Sequence, residues 1–107
     1  MAEQTATFFA ETKLDGETAV IDLHGEINGL ADTALDAAYT EAEQAAPQKV
    51  LLNFAGVDYI NSTGIALIVG VLARARAAHR PVAAQGLSDH YREIFNITRL
   101  SDFIEIQ

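Results

Sequence analysis

Cysteine is absent from the 107 residues, which excludes a disulfide framework and any thiolate zinc site. Basic residues are scarce. Seven lysines and arginines face fifteen aspartates and glutamates, giving a formal net charge of -8. Nucleic-acid binding needs a basic surface that displaces counterions, and this chain offers the opposite. Anionic membrane surfaces are disfavoured on the same ground. Long apolar runs are also missing. The longest, residues 65–73, falls well short of the ~20 residues that span a bilayer, so direct membrane insertion is not expected. The opening MAEQTATFFAET carries Glu3 and no basic segment, which argues against a secretory signal. There is no Walker A loop, no G-x-G-x-x-G and no G-x-S-x-G elbow, so phosphate-cradling and hydrolase chemistry lack their usual carriers. His24, His79 and His90 share no metal-ligand spacing. No cofactor or metal is implied. A protein partner or a small ligand is left.

Half of the residues are hydrophobic, enough for a core in one domain spanning residues 1–107. The pattern alternates strand and helix after an opening hairpin. Residues 5–12 read as an edge strand, LDGE at 14–17 as a hairpin turn, and residues 18–25 as a half-buried strand. Leu30, Ala34, Leu35, Ala38, Tyr39 and Ala42 recur at helical spacing. KVLLNFA (49–55) lacks alternation, the pattern of a strand covered on both faces. Residues 62–78 form a helix, 81–85 a strand, 88–97 a helix capped by Ser88, and 103–106 a last strand. Such alternation predicts a mostly parallel or mixed sheet with helices packed on it.

The segment DYINSTGIALIVG concentrates polar groups at the doorstep of an apolar helix. Asn61, Ser62 and Thr63 are residue types that cap helix N-termini. A helix N-terminus also favours negative charge, so a phosphate on a hydroxyl there would be tolerated. Capping and modification are both open, and they are compatible. On a helical wheel Ile65, Ile68, Val69 and Leu72 make the core stripe, which places Leu67 and Val71 on the opposite side. Those two either meet a partner or lie under a loop. Gly70 costs about 1 kcal/mol inside a helix relative to Ala, and a close approach by another surface would explain it.

GEINGLADTAL, VLLNFAGVDYINSTGIALIVGVLARAR and YREIFNITRLSDFIEI resemble the STAS domain, and more closely the bacterial anti-sigma factor antagonists. The similarity spans residues 18–106. It implies an α/β fold, a STAS-type mixed β-sheet flanked by α-helices in a single domain. It also implies a cytoplasmic binding module rather than an enzyme. Its partner would be an anti-sigma factor that is also a serine kinase, a histidine-kinase-like ATPase. Such kinases phosphorylate the first hydroxyl of an Asp-Ser-Ser/Thr-Gly segment, which aligns with Ser62. Asn28, Asn61, Thr63 and Gly64 would shape the loop around it. Gly25 and Glu26 in the 25–28 turn, with Leu67 and Val71, would form the docking face. Two positions depart from the family pattern. Asn61 and Asn28 stand where its members carry aspartates. Both swaps remove negative charge near the expected phosphosite and keep a hydrogen-bonding side chain. Two other readings follow from the wider family. One is a scaffold or sensor subunit that is never phosphorylated, and the other a small-ligand or nucleotide-binding module tied to a transporter.

Overall fold

The computed structural model describes residues 8–107. Thr5, Ala6 and Thr7 of the expected first strand lie outside them. Strands β1 (Phe8–Asp15) and β2 (Thr18–Ile27) form an antiparallel hairpin with Asp15 opposite Thr18. Gly16 takes the first of the two loop positions at φ +65°, the place that a II′ turn reserves for glycine. After β2 a short 3-10 turn (Gly29–Ala31) leads into α1 (Asp32–Gln44). Then come β3 (Lys49–Ile60), α2 (Ser62–Ala77), β4 (Val82–Gln85), α3 (Asp89–Ile97), a 3-10 turn (Leu100–Asp102) and β5 (Glu105–Ile106).

The sheet order is β1-β2-β3-β4-β5, with β2 through β5 parallel. Each parallel step moves in the same direction across the sheet. Right-handed crossovers therefore bring α1, α2 and α3 to one face. Burial agrees. Ala19, Ile21 and Leu23 of β2 join Val50, Leu52 and Phe54 of β3 in one cluster with Leu35, Tyr39, Ile68, Leu72 and Phe95 from the three helices. Phe54 meets Phe95 edge-on, with ring centroids 5.8 Å apart.

The expectation that residues 49–55 are covered on both faces is corrected. β3 alternates, with Leu51 and Asn53 only half-buried on the face away from the helices. That face carries a polar row in register: Glu11, Asp22, Asn53 and Gln85. The Asn53 side-chain amide donates to Asp22 Oδ1 at 2.8 Å, and Lys13 Nζ stands 3.1 Å from Asp22 Oδ2. The Asn53 hydrogen bond, aided by Lys13, holds the Asp22 carboxyl below the ordinary carboxylate range despite its partial burial.

Three wheel assignments also change. Leu30 is 82% exposed, because Asn28 caps a 3-10 turn that carries Leu30 off the α1 stripe. On α2 the buried positions are Gly64, Ile68, Val71, Leu72 and Ala75. Val71 is 5% exposed and belongs to the core, whereas Val69 is 44% exposed. Gly64 sets this rotation. A Cβ there would collide with the Ile27 carbonyl, so the helix presses its bare backbone on the end of β2. Positions four, seven, eight and eleven residues on then face the sheet.

Candidate functional site

The carboxyl ends of β2 and β3 lie side by side, with Ile27 opposite Ile60. In a parallel sheet this is the end where helix N-termini gather and ligands or partners are met. Each strand hands over to a helical segment through an asparagine. Asn28 Oδ1 accepts from the Leu30 N–H at 2.9 Å, and Asn61 Oδ1 accepts from the Gly64 N–H at 2.8 Å. Both residues are extended N-caps. The Asn61 N–H in turn donates to the Ile27 carbonyl at 3.2 Å, which ties the second loop to the first strand. A Cβ added at Gly29 would sit 3.6 Å from Thr63 Cγ2, so the two loops are in contact.

The capping question raised by NSTG is thereby answered. Asn61 is the cap. Ser62 and Thr63 occupy the first two helical positions, are exposed, and make no side-chain hydrogen bond among the described residues. The first turn of α2 holds no acidic residue. An added anion at Ser62 would meet unpaired N–H groups and the positive end of the helix dipole. Aspartate and asparagine cap about equally well, so asparagine at 61 keeps the turn while leaving out a charge beside the hydroxyls.

The remaining expected site residues divide. Gly25, at φ +95°, and exposed Glu26 lie in the last residues of β2, paired with β3, so that the turn expected at 25–28 is strand as far as Ile27; Glu26 Oε1 accepts from Asn28 Nδ2 at 3.4 Å. These stand with Asn28, Asn61, Ser62, Thr63 and Gly64 at one end of the sheet. Gly64 acts through packing, as the contact point with Ile27. Leu67 is half-buried, on the rim of a cleft of about 180 Å³ between α1 and α2. Val71 lines the same cleft from the core and offers no outward face, which corrects the expectation that it points away from the sheet. Arg74 closes the far end of this cleft. Its guanidinium bonds Asp36 at 2.7 Å and Glu43 at 3.0 Å, and lies 4.7 Å from the Tyr39 ring centroid.

Three participants escaped sequence reasoning. Leu30 and Tyr59 present large exposed apolar surface beside the capped loops. Tyr91 works from beneath: its hydroxyl accepts the Ile60 N–H at 2.9 Å and so pins the strand end that leads into Asn61. The signal for Tyr91 was present, since it is an aromatic on the apolar side of a short amphipathic helix, but its partner is a backbone group that no pattern names. Among the described residues no grouping of His, Cys, Asp or Glu could hold a metal, and no helix is long and apolar enough to cross a membrane.

A family model described as "Mlab, STAS domain" matches residues 10–105. The chain is 26% identical over 96 residues to the anti-sigma-B factor antagonist of Staphylococcus aureus, covering 90% of this chain and 89% of that protein. Its fold is similar to that of the anti-sigma factor antagonist SpoIIAA in its unphosphorylated form, at a TM-score of 0.66 and 26% identity, over 84% of this chain and 82% of that one. The phosphorylated form of the Bacillus cell fate determinant SpoIIAA gives a TM-score of 0.69 at 23% identity, over 92% and 90% of the two chains, a likeness of fold.

Proposed function

The chain belongs to the STAS domain family, and from that premise we propose that it is an anti-sigma factor antagonist whose docking is switched by a phosphate on Ser62. It works in the cytoplasm by binding rather than by catalysis. Its partner is an anti-sigma factor with serine-kinase activity, and docking releases the sigma factor that this partner holds. The similarity to the staphylococcal antagonist over nine-tenths of the chain supports the class of function. One observation carries the choice of Ser62. Its hydroxyl is exposed and makes no hydrogen bond among the described residues, because Asn61 does the capping; the same holds for Thr63, and the choice between the two follows the alignment of Ser62 with the family's first hydroxyl. A side chain that is free of the fold can be modified without cost to the fold.

The docking face gathers Glu26, Asn28, Leu30, Tyr59, Ser62, Thr63 and Leu67 around the carboxyl ends of β2 and β3. A neutral hydroxyl at its centre suits a close contact. Phosphorylation brings roughly -1.5 to -2 charges to that centre. In the free domain the helix N-terminus accommodates them, at a gain of roughly 0.3–1 kcal/mol. In the complex the same phosphate must lose water against a surface shaped for a hydroxyl, which costs several kcal/mol. Each 1.4 kcal/mol is about tenfold in affinity.

The test is phosphate transfer from the purified cognate kinase and ATP. One phosphate is expected, lost in Ser62→Ala and kept in Thr63→Ala. The phosphorylated chain should bind the kinase at least tenfold more weakly. It should also melt at an equal or higher temperature than the unmodified form. Transfer to Thr63, or undiminished binding after transfer, refutes the switch. Tight binding without any transfer assigns the chain to a docking scaffold instead.

A further inference from the structure

At the other end of α2 lies a second surface. Ser62 and Arg76 are separated by fourteen residues of helix, about 21 Å along the axis. Two cavities meet there, one of about 360 Å³ and one of about 610 Å³, and both are walled by Leu72, Arg76 and Phe103. The smaller is apolar, completed by Val69 and Leu100. The larger is polar, completed by His79, Arg80 and Asp102. Two large hydrophobic residues of these walls are exposed, Val69 at 44% and Phe103 at 52%.

The charges here run against the composition. In a chain of net charge -8, Arg76 makes no salt bridge or hydrogen bond among the described residues. Its guanidinium lies 5.1 Å from the Phe103 ring centroid, stacked and facing out. Arg80 is already engaged, by the Pro47 carbonyl at 2.9 Å and by Glu43 at 3.9 Å. Asp102, the acid in the wall, is held by Arg99 at 2.9 Å. Among the described residues Arg76 is thus the uncommitted charge of these walls, and it sits on the ridge between an apolar and a polar hollow.

We propose that this ridge is a second docking site, which takes an acidic peptide segment of a protein partner. The segment places a large apolar side chain in the Val69–Leu100 hollow and a carboxylate on Arg76. Two hollows on either side of one stacked cation match two neighbouring side chains of a peptide, one apolar and one acidic. The site is independent of Ser62, so a partner can be held there whatever the state of the hydroxyl.

The test is a selection of random twelve-residue displayed peptides on the full chain, followed by titration of the selected peptides. Enriched peptides should pair aspartate or glutamate with a bulky apolar residue. Their amide-shift footprint should cover the second half of α2 and the 3-10 turn after α3. Arg76→Glu should stay folded, melting a few degrees lower because it gives up the Phe103 contact and places an acid in the last turn of α2, and should weaken these peptides at least tenfold. Arg76→Lys should retain most of the binding. Four results overturn the proposal: no enrichment, enrichment without acidic residues, equal binding to Arg76→Glu, or a footprint at Ser62. Two more would reassign the surface. Flotation with phosphatidylglycerol vesicles that is lost in Arg76→Glu, with no peptide selected, would assign it to lipid. A dimer lost in Phe103→Ala would assign it to a second copy of the chain.

Discussion

Replacing Gly64 by alanine tests the contact on which the site is built. In an ordinary helix interior the change stabilises by about 1 kcal/mol through helix propensity. Here three terms compete. The new Cβ meets the Ile27 carbonyl and carbonyl carbon, which belong to the backbone of β2 and cannot rotate aside. Relieving such overpacking costs about 1–3 kcal/mol. Moving α2 outward also stretches the bond from the Gly64 N–H to Asn61 Oδ1, now 2.8 Å, and loss of a cap costs about 0.5–2 kcal/mol. The net expectation is a loss of about 0.5–4 kcal/mol. For a domain of this size each kcal/mol lowers the melting temperature by roughly 4–8 °C. Gly70 supplies the control. It lies on the same helix, and a Cβ there meets nothing within 4 Å. Gly70→Ala should therefore gain about 1 kcal/mol and melt a few degrees higher. Urea titrations and thermal melts of both variants read the difference directly. A Gly64→Ala variant as stable as wild type would show that α2 does not rest on Ile27, and the placement of Ser62 would fall with it.

Asn61→Ala should cost about 0.5–2 kcal/mol in urea titrations, and Asn61→Asp far less, since both acid and amide cap well; equal losses would deny Asn61 the cap. Leu67→Ser should weaken binding to the kinase with a small change in stability, whereas Leu72→Ala should cost about 2–5 kcal/mol; an unfolded Leu67→Ser would place that side chain in the core. Asp22 has a lowered folded-state pKa, so its contribution is complete above the ordinary carboxylate range, near pH 4, and is lost as pH falls through the folded value. The stability gap between wild type and Asp22→Asn should therefore be constant at neutral pH and close below about pH 4; a gap unchanged at pH 2 would refute the coupling to Asn53 and Lys13.

Much of this was legible in the sequence. The alternation of strand and helix, the first hairpin, the Ser88 cap and the resemblance at residues 58–70 correspond to what the fold contains, although the hairpin loop is Gly16-Glu17, one residue beyond the Asp-Gly pair. Legibility failed where tertiary contact decides an orientation. The α2 wheel has apolar residues nearly all round, so its pattern cannot choose a face. The choice was made by one backbone contact at Gly64, which turned Val71 inward and Val69 outward. Leu30 was misplaced for a related reason, because a 3-10 turn breaks the helical period one step before α1 begins. β3 looked doubly covered because Leu51 and Leu52 are both apolar, although only one of them faces the helices.

The division of labour within NSTG has an evolutionary consequence. Asn61 and Gly64 are bound to the fold, one by its cap and the other by its bare backbone against Ile27. Ser62 and Thr63 lie between them, and their hydroxyls make no hydrogen bond among the described residues. Mutation can therefore exchange those two hydroxyls, delete one, or make either acidic, at little cost in stability. Selection on signalling and selection on folding fall on alternate letters of a four-letter word. Duplicated copies of such a domain can diverge in which kinase they answer, or cease to answer any, while the sheet and its helices stay the same.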